Sequence, residues 1–199
     1  MPKITFYNLP GEKKERLLQA LHQEFSRVPL NEASIANIIK AAGIPRGSFY
    51  QYFEDKTDAF LFLLEEVAEA AKTHFYATLK ENNGDLFAAF SAFFRAFLNE
   101  EGQIQLLRNT FLNMNLQAEN VMEGIFKDRN GDRSLQEVKG WLGAAYTDLP
   151  ETDLQHVMDM LVAITFHNII RKFAGSVPLE EAVAQYERQL ALLKFGVFE

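Results

Sequence analysis

Residues 35–60 read IANIIKAAGIPRGSFYQYFEDKTDAF. Ile35, Ile38, Ile39 and Ala42 recur at helical spacing and predict a buried face, and Gly43 is the residue best able to take the positive φ that ends a helix. Asn31, just upstream, is the expected N-cap of that segment. Pro45 suits the first turn of a second helix, PRGSFYQYF. Asp55, with Asp58 three residues on, forms an acidic relative of the capping box and opens a longer helix, KTDAFLFLLEEVAEAAKTHFYATLKE. Before the stretch, GEKKERLLQALHQEFSRV sets Leu17, Leu18, Leu21 and Phe25 on one face and ends before Pro29. Two short helices across a glycine-containing turn, preceded by a third, make the layout of a helix-turn-helix module.

The second short helix has two faces. Phe49 and Phe53, at i and i+4, are expected to anchor it into a core of Leu21, Phe25, Ile35 and Ile39. Arg46 and Tyr50 form another i, i+4 pair, flanked by Gly47, Ser48 and Gln51. Arginine can grip guanine or phosphate with two hydrogen bonds, glycine admits close backbone approach, and Ser and Gln offer hydrogen-bonding groups of suitable length. Lys56 stands at the positive end of the next helix, a placement that suits a phosphate better than an internal ion pair.

Composition restricts where such a surface can lie. The chain has 199 residues, 48% hydrophobic and 24% charged, with a net charge of -7 and no cysteine. Disulfides, thiolate metal sites and cysteine nucleophiles are thereby excluded, which suits the cytoplasm. Residues 1–60 carry eight Lys/Arg against seven Asp/Glu, and the remainder twelve against twenty. An acidic body repels a polyanion, so any nucleic-acid contact has to be local and confined to the N-terminal part. The longest charge-free apolar stretch, Met160 to Ile170, is far short of the ~20 residues that span a bilayer, and the N-terminal residues lack a signal-peptide core. No membrane partner is expected. No G-x-S-x-G, H-E-x-x-H, P-loop or G-x-G-x-x-G motif is present, and His74 and His167 have no i+3 or i+4 ligand companion. No catalytic residue, metal or cofactor is expected, and the chain is not read as an enzyme.

Beyond residue 60 the pattern remains helical. LFAAFSAFFRAFL carries Phe87, Phe90, Phe93, Phe94 and Phe97 around much of its surface and should be buried on several sides. Shorter helices are expected in GQIQLLRNTFLNMNL, AENVMEGIFK and, after a polar DRNGDR loop, SLQEVKGWLGAAY. Two long helices close the chain, ETDLQHVMDMLVAITFHNIIRKFAG and LEEAVAQYERQLALLKF. The first leaves almost no polar side, and a helix apolar all round must be covered all round. The last repeats Leu179, Val183, Tyr186, Leu190 and Leu193 at 4, 3, 4, 3 spacing, the seam of a helix bundle. A partner subunit is the economical cover, and Leu161, Ile169, Val183, Tyr186 and Leu190 are the expected contacts.

The N-terminal stretch resembles the signature of the TetR family of bacterial transcriptional regulators, roughly I-A-x-x-A-G-V-S-x-G-x-Y/F-Y-x-x-F-x-x-K-x-x-L. Ile35, Ala36, Ala42, Gly43, Ile44, Gly47, Phe49, Tyr50, Phe53 and Lys56 fall at matching positions. The resemblance covers residues 11 to 60. Pro45 departs from it where a capping Ser or Thr is usual, and Ala59 where Leu is usual. It implies an all-α protein with a three-helix helix-turn-helix DNA-binding domain over 1–54 and a helical ligand-binding and dimerisation domain over 55–199. It further implies that Arg46, Gly47, Ser48, Tyr50 and Gln51 face the major groove of double-stranded operator DNA, that Lys56 binds backbone, and that the last two helices form a four-helix homodimer interface.

A small hydrophobic effector is the remaining expected partner. Eighteen Phe, together with polar groups set among apolar residues, point to a lined cavity, with Phe90, Phe94, Asn109, Asn113, His167 and Arg171 as candidates. Pairing of those polar groups inside the protein is an equally good reading of each. The resulting expectation is a cytoplasmic, ligand-responsive repressor. The alternatives are a regulator without ligand response, and a helical enzyme or carrier whose N-terminal motif is incidental.

Overall fold

The computed structural model describes residues 2–99, 104–113, 116–123, 138–146, 148–175 and 177–198. Its helices are α1 (Ile4–Tyr7), α2 (Gly11–Arg27), α3 (Ile35–Ala42), α4 (Arg46–Tyr52), α5 (Lys56–Glu81), α6 (Leu86–Asn99), α7 (Ile104–Leu112), α8 (Leu116–Glu123), α9 (Glu151–Ala174) and α10 (Leu179–Phe198), with a 3-10 turn at Ala144–Tyr146. The fold is all-α, and no strand occurs among the described residues. The expected DRNGDR loop and residues 134–137 of the expected SLQEVKGWLGAAY helix lie outside the described residues, as do residues 102, 103, 114 and 115 of the expected GQIQLLRNTFLNMNL helix and 124–127 of the expected AENVMEGIFK helix. No helix among the described residues is long and apolar enough to cross a membrane.

The chain forms two compact units. One comprises Met1–Ala68 and Gly102–Met122, the other Glu69–Glu101 and Glu123–Glu199. This division by packing falls inside α5, between Ala68 and Glu69, and groups α7 with the N-terminal helices, while the expected boundary at 54/55 lies in the link between α4 and α5.

In the first unit α3 and α7 pack on α2, and α1 packs on α4. Leu17, Leu21, Phe25, Ile38, Phe49 and Phe53 are fully or almost fully buried. The core of α3 is Ile38 and Ala42, whereas Ile35 and Ile39, expected inside, are only half-buried. Rings join the helices: Phe6 lies 5.2 Å from Phe53 and 5.0 Å from Phe62, and Phe25 lies 5.1 Å from Phe60. α1 was not foreseen; four residues are too few for a periodic signal.

Helix α3 starts later than expected. Its N-cap is Ser34, not Asn31, and no side chain caps it locally. Glu24 of α2 takes over that role, accepting the Ser34 N–H at 2.8 Å on Oε1 and the Asn37 amide at 3.1 Å, while Arg27 grips the same carboxylate at 2.9 and 2.7 Å. At the other end Gly43 adopts φ 65°, ψ 36°. The Ile44 N–H then reaches the Ile39 carbonyl at 3.0 Å, a Schellman closure that turns the chain into α4. Asp55 caps α5 as expected, accepting the Asp58 N–H at 2.8 Å, while Asp58 reaches back to the Glu54 N–H at 3.0 Å.

In the second unit α6 packs against α9 and α10. Its five phenylalanines are each at most 5% exposed, as the all-round pattern requires. The Phe75 and Phe90 rings lie 4.8 Å apart in a tilted contact, and those of Phe94 and Tyr186 4.2 Å apart. Asp85 caps α6 through the N–H groups of Phe87 and Ala88 at 3.0 and 3.2 Å. The same carboxylate accepts the Tyr146 hydroxyl at 3.1 Å and the Lys194 ammonium at 2.6 Å. Burial pushes the Asp85 carboxyl up, but Lys194 and these donors hold it below its ordinary value; burial and Asp85 together push the Tyr146 phenol up. Gly84, at φ 76°, has no room for a side chain: a Cβ would stand 2.1 Å from the Trp141 carbonyl oxygen.

Candidate nucleic-acid interface

Helix α4 has seven residues, under two turns, so neighbouring elements must hold it. Phe49 and Phe53 are fully buried beneath it. Pro45 occupies the N-cap position with φ -63° and gives no side-chain cap, as its departure from Ser or Thr leads one to expect. Above the buried rings Arg46, Gly47, Tyr50 and Gln51 are exposed and Ser48 is half-buried, so all five expected reading residues lie on one short helix with their faces open. The Arg46 guanidinium has no ion-pair or hydrogen-bond partner among the described residues. A Cβ built on Gly47 meets nothing within 4 Å, so no internal packing requires glycine there. The space it leaves belongs to whatever approaches from outside.

Lys56, expected to meet the DNA backbone, also has acceptors inside the chain. Its ammonium donates to the carbonyls of Asn31 at 2.8 Å and Ala33 at 3.1 Å, pinning the start of α5 to the turn before α3. Those carbonyls face the α5 N-terminus because the chain turns there, a geometry no spacing rule reveals.

Sequence reasoning missed the support at the far end of α4. The Lys3 ammonium donates to the Tyr50 carbonyl at 2.8 Å, the Thr5 hydroxyl donates to that of Gln51, and the Lys3 N–H donates to that of Tyr52 at 2.8 Å. No signal in residues 2–7 announces these contacts beyond the buried Phe6.

The candidate effector residues divide between the units. Asn109 and Asn113 belong to the first. The Asn109 amide closes the end of α2 by donating to the carbonyls of Phe25 at 3.1 Å and Ser26 at 3.0 Å, and the exposed Asn113 donates to the Asn109 carbonyl at 3.0 Å. Phe90 and Phe94, in the second unit, are fully buried among other rings. His167 and Arg171 are exposed on α9. The nearby Asn168 is buried and donates to the Gln189 side chain at 2.6 Å and the Ile164 carbonyl at 2.8 Å.

The expected subunit contacts face inward. Leu161, Ile169, Val183, Tyr186 and Leu190 are 0–3% exposed within the single chain. They form the seam between α9 and α10, where Thr165 donates to the Leu161 carbonyl at 2.6 Å and receives the Tyr186 hydroxyl at 2.6 Å. Among the described residues of these helices, the large apolar side chains left exposed are Met160, Ile170, Leu192 and Phe195, between 37% and 63% exposed.

Two family models match the chain. One, described as "Bacterial regulatory proteins, tetR family", covers residues 17–61, and the other, "Tetracyclin repressor-like, C-terminal domain", covers 85–197. The chain belongs to the TetR family. Among its relatives, this TetR-family chain is 38% identical over 86 residues to the uncharacterised HTH-type transcriptional regulator YvdT of Bacillus subtilis, covering 43% of this chain and 38% of that protein. It is 32% identical over 81 residues to the HTH-type regulator BetI of Yersinia pestis, covering 39% of each. The alignment thus spans about two fifths of the length of these curated relatives, all of them described as regulators rather than enzymes. Among solved structures, a TetR family regulator from Chloroflexus aurantiacus matches with a TM-score of 0.55 and 26% identity over 98% of both chains. FadR of Bacillus subtilis, solved in complex with stearoyl-CoA, shares the fold at a TM-score of 0.61 and 16% identity, covering 90% of this chain and 96% of that one.

Proposed function

We infer that the protein is a cytoplasmic, dimeric regulator that binds a palindromic operator through α4 and is released by a small hydrophobic effector. The observation that carries the reading is the outer face of α4: a set of polar groups around an unpaired guanidinium and a glycine with empty space before it, on a helix fixed from below. In the major groove Arg46 reads guanine or holds phosphate, Tyr50 and Gln51 reach neighbouring bases or phosphates, and Gly47 lets the backbone close on the duplex. Lys56 contributes by fixing α5 to the turn before α3, and its remaining proton is available to a phosphate.

A second copy supplies the two-fold symmetry that a palindrome requires. The surface it covers is the outer side of α9 and α10, where Met160, Ile170, Leu192 and Phe195 would otherwise leave apolar area in water. Effector binding falls to the second unit, whose α6 supplies Phe90 and Phe94, and a same-fold protein holding stearoyl-CoA is consistent with an apolar ligand. One observation favours a regulator without ligand response: Asn109, Asn113 and Asn168 all spend their amides on internal acceptors. The experiment is selection of duplexes from a random-sequence library by the full-length protein. A palindrome with half-sites separated by about one helical turn, or a small multiple of it, is expected, and recovery of no consensus refutes sequence-specific binding.

A further inference from the structure

A helix of seven residues ends before most of its carbonyls find intrahelical donors. In α4 the Phe49 carbonyl receives the Phe53 N–H at 2.9 Å, but Tyr50, Gln51 and Tyr52 have no such donor, because the chain leaves the helix in extended conformation at Phe53. All three carbonyls are met instead by Lys3 and Thr5. The Lys3 ammonium also places a positive charge at the negative end of the helix dipole. The segment that provides these donors is itself fixed. Phe6 is fully buried against Phe53 and Phe62, and the Lys14 ammonium of α2 lies 5.2 Å from the centre of its ring. These residues precede 17–61, the span that the N-terminal family model matches.

We propose that Lys3, Thr5 and Phe6 are positioning residues for DNA reading: they hold the last turn of α4, and with it Tyr50 and Gln51, in the conformation that meets the bases. This rests on the reading of α4 as the DNA-reading helix. Without the three donors that turn frays in the free protein, and binding must first reorder it, which weakens specific affinity. Non-specific binding runs through phosphate neutralisation and needs no fixed position of Tyr50 and Gln51, so it stays as it was.

The test uses the full-length protein and a duplex that it selects from a random-sequence library, beside a scrambled duplex of the same length. Thr5 is exposed, so Thr5→Val removes one hydroxyl without opening the core. It is expected to weaken the selected duplex about two- to tenfold, the span of one lost hydrogen bond, with the scrambled duplex and the salt slope unchanged. Thr5→Ser, which keeps the hydroxyl, should restore wild-type affinity. In the DNA-free protein, Thr5→Val should speed hydrogen exchange at the amides of 50–53 and leave those of α2 unchanged. Loss of a merely stabilising hydroxyl would lower the melting temperature without changing the ratio of selected to scrambled affinity. Arg46→Ala, run alongside, separates the two claims. If it weakens binding while Thr5→Val leaves both the ratio and the exchange at wild type, the positioning role is overturned and α4 remains the reader. If Arg46→Ala also changes nothing, the reading of α4 itself fails, and the positioning role with it.

Discussion

Helices α4 and α9 carry the two surfaces proposed to meet partners, and they are held in opposite ways. α4 is too short to sustain itself: the Phe6 and Phe62 rings against Phe53, the Lys3 and Thr5 donors to its last carbonyls and a Schellman turn before it come from other parts of the first unit. What it leaves outside is polar. α9 runs for 24 residues, closes its inner side with Leu161, Ile169 and the Thr165–Tyr186 and Asn168–Gln189 pairs, and leaves outside the apolar Met160 and Ile170. A surface for a polyanion is made of unspent hydrogen-bonding groups, and a surface for a like subunit is made of unspent apolar area. The same distinction separates residues that hold a surface from residues that form it.

Neighbouring isoleucines on α9 test that distinction with the largest effect. Ile169 is 2% exposed and Ile170 37%. Ile169→Glu buries an unpaired charge inside the subunit and should cost several kcal/mol, enough to unfold the second unit in a denaturant titration. Ile170→Glu should leave the monomer's fold intact and shift sedimentation from dimer to monomer. If the two variants behave alike, the inner and outer faces have been misassigned.

On α4 the corresponding pair is Phe49 and Gly47. Phe49→Ala empties a fully buried site and should cost about 3–5 kcal/mol in the same titration. Gly47→Ala places a methyl in open space, so stability should hold or rise by about 0.5–1 kcal/mol while affinity for the selected duplex falls. Gly84→Ala makes the opposite case within the second unit. Its positive φ and the Trp141 carbonyl leave no room, and a loss of more than about 1 kcal/mol is expected, with no direct effect on the DNA surface.

Smaller effects probe the polar links. Tyr186→Phe removes the hydroxyl that Thr165 receives and should cost about 0.5–1.5 kcal/mol, read as a shift in the denaturation midpoint. Arg27 beside Glu24, with the Ser34 N–H and Asn37, holds the Glu24 carboxyl below its ordinary 4.5 against the opposing effect of burial. A carboxyl with a lowered folded value contributes stability that is present above the unfolded value and lost as pH falls through the folded one. The melting temperature of the wild type should therefore fall on acidification below about 4.5, and Glu24→Gln should start lower at neutral pH and lose less over that window.

Much of the first unit was legible because local rules and packing agree there. Gly43, Asp55 and Phe49 each act as their residue type and spacing dictate. Asn31 failed as a cap because Glu24, distant in sequence, supplies the acceptor for the Ser34 N–H, and Lys56 turned inward to carbonyls that only the folded chain assembles. Residues 3–6 were silent for the same reason: their partners lie 46 and more positions away. In the second unit the seam of Leu161, Val183 and Leu190 was read correctly as a buried seam, but periodicity marks burial without saying which chain does the burying. The apolar spacing of α9 serves its own subunit first, and the residues that remain for a partner are the less regular ones.

The most direct test of the central claim is an equilibrium titration of the full-length protein and its Arg46→Ala variant against the selected duplex and a scrambled control. If the outer face of α4 reads DNA, Arg46→Ala weakens the selected duplex by about 1–3 kcal/mol, roughly 5- to 150-fold, relaxes the preference at the base it contacts, and changes the scrambled duplex far less. Equal affinity and equal base preference in the two proteins would contradict the account, because the one unpaired guanidinium on that face would then play no part in recognition.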